Sequence, residues 1–228
     1  MTSRALAAVP GARGFDANAV VSAADAQAFV AHGYAFALRY LPRVTRRSTD
    51  LSRGEFDALL TAGLAVMPVQ HVESAASWVP TDDKAFVYGH TAADDARRLG
   101  FPDGVTVWLD LEGVADGVSA EDVIRYCNRW HDVVAAAGYQ PGLYVGWHAR
   151  LTPDQLYRRL KFCRYWAAYN LNADECPAVR GVCMRQHAQK PGDVPAGVSF
   201  AIDTNTITAD ALGGVPMVCA SLVSELAA

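Results

Sequence analysis

Short apolar runs alternate with amphipathic stretches along the chain, and most of the amphipathic stretches stop at a glycine. The runs at 13–16, 34–41, 64–70, 105–111, 142–146, 165–169, 182–186 and 200–203 read as eight strands. Helical patterns lie between most of them: 24–32 before Gly33, 53–62 before Gly63, 83–99 before Gly100 and 120–137 before Gly138. Glycine adopts the left-handed conformation that ends a helix at little steric cost, so each of these is a stop signal. Ser119 and the pair Thr152-Pro153 are start signals, since a hydroxyl caps free N–H groups and proline fits the first turn. Strand–helix alternation predicts a parallel α/β sheet, and eight strands predict its closure into a TIM-type (β/α)8 barrel. One compact domain is expected over residues 1–228, with 1–12 as a flexible tail and the units after residue 182 reduced to loops. An open doubly wound sheet would want a glycine-rich phosphate loop after its first strand. Asp16-Ala17-Asn18-Ala19 stands there instead.

Composition removes several classes of function. The chain is 51% hydrophobic and carries a net charge of −4, with no basic stripe, so nucleic acid is not an expected partner. No apolar run approaches the roughly 20 residues that span a bilayer. Residues 1–14 are too short and too weakly hydrophobic for a signal peptide, so action outside the cytoplasm would require a removed signal or a dedicated exporter. The five cysteines are an odd number. Cys176 and Cys183 flank a proline-containing loop and could pair in an oxidising compartment; reduced, mostly buried thiols are the favoured reading. No histidine or cysteine grouping has metal-ligand spacing, and no cofactor motif occurs. His71, His148 and His187 stand singly in loops and are expected to form hydrogen bonds.

In a β/α-barrel the chemistry gathers where the strands end. Polar residues at those ends are Asp16, Arg39, Gln70, His71, Asp110, Glu112, Tyr144, Tyr169, Gln186, Asp203 and Asn205. Side chains on a strand alternate, so Asp110 and Glu112 point the same way, into the mouth. Two acids on one face suit glycoside hydrolysis: one donates a proton to the leaving oxygen, and the other stabilises positive charge, attacks or activates water. Glu112, lying further out, is assigned as the acid and Asp110 as its ionised partner. Each acid alone also fits a structural role: a cap at Asp16, an Asx-turn at Asp203, or a pairing with Arg39. Their convergence favours chemistry, because like charges gathered at one end are costly. Arg39, Gln70, Tyr144, Trp147, Tyr169, Gln186 and Asn205 are the expected substrate-binding residues. Trp78 is a further rim candidate, and Trp108 and Trp166 are expected in the core.

Six segments in order resemble one known family: Gly14-Phe15-Asp16, Trp108-Leu109-Asp110-Leu111-Glu112-Gly113, Pro141-Gly142-Leu143-Tyr144, Trp166-Ala167-Ala168-Tyr169, Arg185-Gln186-His187 and Ile202-Asp203-Thr204-Asn205. They resemble the glycoside-hydrolase-like domain of unknown function 1906, a relative of the family 25 lysozymes. The resemblance implies cleavage of the β-1,4 bond between N-acetylmuramic acid and N-acetylglucosamine in peptidoglycan. It also implies a catalytic set of Asp16, Asp110, Glu112 and Asp203, with Glu112 as the acid; the expected place of action is the cell wall and the expected state a monomer. Those lysozymes place a hydrophobic residue, Ser and a nearby Gln after the first Asp, where this chain has Ala17 and Asn18. The family 18 chitinases would need Asp at 105 and 108, where Val105 and Trp108 stand. The other expectation open to the same residues is a degenerate barrel that holds cell-wall glycan without cutting it.

Overall fold

The computed structural model describes residues 2–171, 175, 181–211 and 214–222. In chain order the elements are β1 (Ser3–Ala7), β2 (Arg13–Ala17), α1 (Ala23–Ala31), β3 (Phe36–Leu41), α2 (Arg53–Ala62), β4 (Ala65–Gln70), α3 (Asp82–Leu99) and β5 (Thr106–Leu111). There follow α4 (Ala120–Ala136), β6 (Gln140–Val145), α5 (Pro153–Arg158), β7 (Tyr165–Ala167), β8 (Val182–His187), β9 (Asp203–Ile207) and β10 (Met217–Ser221). Ser22, Ser52, Thr81, Ser119 and Thr152 cap the five helices, each side chain accepting from the backbone N–H three residues on. Gly63 and Gly100 close α2 and α3 in the left-handed conformation.

Strands β2 to β9 close into an eight-stranded barrel, each pairing with the next and β9 returning to β2. Seven strands are parallel, but β9 runs antiparallel to both β8 and β2. The strand expected at 200–203 therefore begins at Asp203 instead of ending there. Among the described residues no helix lies between β7 and β8 or between β8 and β9, in keeping with the short units at this end.

The tail expected over residues 1–12 is corrected: Ser3–Ala7 is a strand paired in register with Met217–Ser221. This ribbon fills a gap at the closed end of the barrel. There β4 and β5 pair only through Val69 with Trp108 and Gln70 with Leu109, while Cys219 pairs with Val66 and Met217 N–H donates to Thr106 Oγ1 at 2.8 Å.

Two apolar layers hold the barrel. One packs helices against the outward strand faces, with Phe15, Phe29, Leu59, Leu109 and Trp130 fully or nearly fully buried. The other fills the interior with Phe36, Leu38, Met67, Trp108, Trp166 and Met184. Trp108 meets Trp166 edge-on at 5.9 Å, so both are core, as expected. Cys127, Cys183 and Cys219 are buried free thiols and Cys163 an exposed one. Cys176, and with it the question of a Cys176–Cys183 pair, lies outside the described residues. No helix among the described residues is long and apolar enough to cross a membrane.

Candidate active site

Alternation along each strand decides which side chains reach the mouth. Asp110 sits one pleat beyond Trp108 on the inward face of β5, and Glu112 follows just past the strand. Asp16, one residue before the end of β2, points inward, and Asp203 stands directly across from it in register, since the reversed β9 starts at the mouth. Tyr40 follows Phe36 and Leu38 on the inward face of β3 and lines a depression of about 210 Å³ with Asp16 and Asp203.

Asp16 is tied to the wall. Asn205 Nδ2 donates to its Oδ2 at 2.8 Å and Gln186 Nε2 at 3.1 Å; Gln186 also reaches Asp203 at 3.4 Å and accepts from the Tyr144 hydroxyl at 2.9 Å. Asp110 takes a backbone hydrogen bond from Val72, and its buried Oδ1 has no partner among the described residues.

The four carboxyls stand in one another's field. Burial, the largest influence, pushes Asp16 up to about 7; the donors Asn205 and Gln186 oppose that, and the charges of Asp203 and Glu112 add to it. Burial and then Glu112 hold Asp110 well above the carboxylate range. Glu112 is raised by burial and by Asp203, and Asp203 by burial. Burial and the charge of Glu112 thus oppose ionisation of Asp110, which the sequence reading takes as the ionised partner. With one backbone donor and an unpartnered oxygen, Asp110 favours its neutral form, while the two amide donors on Asp16 support a charge there.

The raised Asp16 predicts a pH-dependent stability. Its folded pKa, about 7, exceeds the ordinary 3.8, so the native state binds the proton more tightly. That contribution is complete below the ordinary value and is lost as pH rises through the folded one. Asp16→Asn is expected to melt like the parent at pH 3 and above it at pH 8, as read by calorimetry across that range.

Glu112 is positioned by its neighbours. Trp78 Nε1 donates to the Glu112 carbonyl at 2.6 Å, and Trp78 N–H donates to the Gly113 carbonyl at 3.2 Å. Trp78 is thus a buried clamp and not part of an open rim. On the neighbouring strand end, Gly146 leaves room for the acid: a Cβ there would lie 2.6 Å from Glu112 Cβ and 2.8 Å from its Oε2. Gly146→Ala is expected to displace the carboxyl and lower any cleavage by about 10²-fold, since misplacement of about an ångström carries that cost. Initial rates alongside melting curves check it: a normal melt with normal turnover would remove Glu112 from the chemistry.

Two residues expected to bind substrate have other work. Arg39 faces the helices, not the mouth, and is fully buried. Its Nε donates to Glu55 Oε1 at 2.6 Å, and its other nitrogens to the carbonyls of Ala17 and Thr49. Gln70 is likewise buried outside the barrel, donating to the Pro42 and Tyr88 carbonyls and accepting from Trp130 Nε1 at 2.8 Å. Gln70 ends β4 and Arg39 lies two residues before the end of β3, and both stand on the outward face. Tyr144, Gln186 and Asn205 are in the mouth, occupied in holding Asp16. Trp147 and Tyr169 are exposed beside it, Tyr169 lining a depression of about 300 Å³ with Gln186 and His187.

Tyr40, one of the aromatics near a strand end but given no role from the sequence, lines the same depression as Asp16 and Asp203. Its inward parity with Phe36 and Leu38 was the signal. Its ring stacks on His71 at 4.4 Å, His71 Nε2 lies 2.9 Å from Asp50 Oδ1, and burial followed by the nearby acids raises the Tyr40 hydroxyl. The three loop histidines form hydrogen bonds, His148 with Arg150 and His187 with Thr206. No cluster of three or more His, Cys, Asp or Glu side chains suited to a metal occurs among the described residues.

The profile of the family described as "Rv2525c-like, glycoside hydrolase-like domain" matches residues 27–205. An uncharacterised protein of Bacillus subtilis, YbfG, is 31% identical over 102 residues; the match takes in 42% of this chain but only 14% of that much longer protein. The Tat-secreted protein Rv2525c of Mycobacterium tuberculosis, solved with L-tartrate, superposes with a TM-score of 0.60 at 17% identity, covering 88% of this chain and 96% of that one. A bacterial lysozyme from Streptomyces coelicolor superposes at 0.58 and 16% identity, covering 90% and 95%. At such identities the likeness to these two structures is one of fold.

Proposed function

Since this chain belongs to the Rv2525c-like, glycoside hydrolase-like family, we propose that it cleaves the glycan of bacterial peptidoglycan by carboxyl acid–base chemistry. The observation that carries this reading is the convergence of Asp16, Asp110, Glu112 and Asp203 on one mouth, each with its pKa raised by burial. Glu112, the partly exposed member of the strand pair, holds a proton and delivers it to the leaving oxygen. As the bond breaks, positive charge grows on the sugar. Asp16 and Asp203, across the barrel from Glu112 and supplied with amide donors, provide the opposing negative charge. Asp110, buried behind Glu112 and neutral, raises no competing charge and can donate to the sugar. Trp147 and Tyr169 offer apolar faces on which sugar rings stack.

The lysozyme likeness supports a muramidase bond preference, and the description of the M. tuberculosis neighbour as Tat-secreted supports action outside the cytoplasm. The working unit is taken as one chain, because all four acids come from one barrel.

A barrel that binds glycan without cutting it is the second reading. It is favoured by the two wall donors already engaged on one oxygen of the Asp16 carboxyl. Digestion of purified peptidoglycan, with released fragments identified by mass and reducing end, separates the two. New muramic-acid reducing ends support the muramidase; glycan retained on the protein with nothing released supports the binding module.

A further inference from the structure

Among the described residues, two that are not glycine take a left-handed backbone, and both lie in the loop after β6: His148 at φ 57° and Arg150 at φ 62°. A side chain crowds the backbone there, so such residues persist where their surroundings hold them. Here the hold is visible. Arg150 Nε donates to the Val114 carbonyl at 3.2 Å, while its Nη2 pairs with Asp116 and donates to His148 Nδ1 at 3.1 Å. Val114 N–H donates to the His148 carbonyl at 3.1 Å, and Gly113 N–H to the Trp147 carbonyl at 2.7 Å.

The loop is thereby zipped to the two residues that follow Glu112, and what it presents is Trp147. The indole is 42% exposed. The His148 ring stacks on it, with centroids 3.4 Å apart and planes 17° from parallel, so one face is covered and the other is free. Gly146, the residue before it, packs against Glu112 with no room for a Cβ between them. A platform fixed in advance gives up little freedom when a ligand settles on it.

The second exposed aromatic has different company. Tyr169, just past β7, lines its depression with Gln186, whose Nε2 reaches Asp16 at 3.1 Å and Asp203 at 3.4 Å. One aromatic is tied to the proton donor. The other stands beside the amide shared by the two opposing acids. A glycosidic bond has two matching sides: the acid meets the oxygen that departs with the leaving sugar, and the opposing charge faces the sugar that keeps the anomeric carbon.

Resting on the reading that Glu112 protonates the leaving oxygen, we infer that Trp147 is the platform for the leaving sugar and that Tyr169 contacts the sugar left behind. For a muramidase bond the leaving sugar is N-acetylglucosamine. It is uncharged, and its C–H face suits an indole.

The test compares two substrates: a soluble peptidoglycan glycan chain, followed by new reducing ends, and the β-fluoride of the N-acetylglucosamine–N-acetylmuramic acid disaccharide, followed by fluoride release. The fluoride keeps the retained sugars and has no leaving sugar. Trp147→Ala is expected to lower the ratio of kcat/KM on the glycan to that on the fluoride about tenfold, and Trp147→Phe to restore most of it. Tyr169→Ala is expected to lower both substrates alike, leaving the ratio at the parent's value. Melting curves match across the set, because both aromatics are exposed. A ratio unmoved by Trp147→Ala overturns the inference, whether both rates fall or neither does, and so does a ratio that moves with Tyr169→Ala instead; each leaves the cleavage reading standing. If the parent opens neither substrate, the cleavage reading falls and the platform falls with it.

Discussion

Glu112→Gln is expected to lower peptidoglycan cleavage by about 10³-fold, within the range that a positioned general acid contributes. Glutamine keeps the shape and polarity of the side chain but cannot give up a proton to a leaving oxygen. The structure makes this substitution clean. Among the described residues the Glu112 carboxyl has no hydrogen-bond partner, and the clamp from Trp78 holds its backbone carbonyl. The variant should therefore melt no lower than the parent, and above it once pH passes the raised Glu112 value, and should bind insoluble peptidoglycan as tightly.

The pH profile adds a second readout. Burial and the charge of Asp203 raise Glu112, so the parent keeps its proton, and its rate, to a higher pH than an ordinary glutamate would allow. The rate falls as pH rises through that value. The apparent value belongs to the coupled cluster and not to one residue. Residual activity in Glu112→Gln should lose this alkaline limb. A variant with parental rates and an unchanged profile would remove Glu112 from the acid role.

Glu55→Gln is expected to cost about 3–5 kcal/mol of stability, because it leaves the fully buried Arg39 guanidinium without its counter-charge. Glu55 Oε1 also accepts from Val21 N–H at 2.9 Å, so the pair joins the start of α2 to the loop after β2. Pairing Arg39→Met with Glu55→Leu should recover part of that loss, since two apolar side chains need no partners, although the Val21 donor stays unsatisfied. Denaturant unfolding of the single and double variants measures it. The same pair tests whether Arg39 touches substrate. Arg39→Lys, where folded, should leave KM unchanged and lower only the unfolding midpoint. A raised KM with normal stability would return Arg39 to the site.

Arg39 also shows how far a reading by strand ends goes. A polar residue at the close of an apolar run is a signal only when its parity is counted, and the outward parity of Arg39 and Gln70 was open to inspection. Asp203 shows a different limit. It reaches the mouth because β9 is reversed, and nothing in the run at 200–203 distinguishes the end of a parallel strand from the start of an antiparallel one. The edge ribbon of β1 and β10 was hidden for a related reason. Its two halves lie at opposite ends of the chain, and neither has the apolar alternation of a core strand.

What the sequence by itself determined is local: where strands and helices begin and stop, through caps, glycines and alternation, and that Asp110 and Glu112 share a face. These follow from dihedral preferences and periodicity, which act over a few residues. Only the tertiary structure decided which strand runs backward, which amide donors meet Asp16, and which carboxyls keep their protons. Those depend on burial and on charges brought together from β2, β5 and β9, and electrostatic energy is set by distance in space, not by separation along the chain.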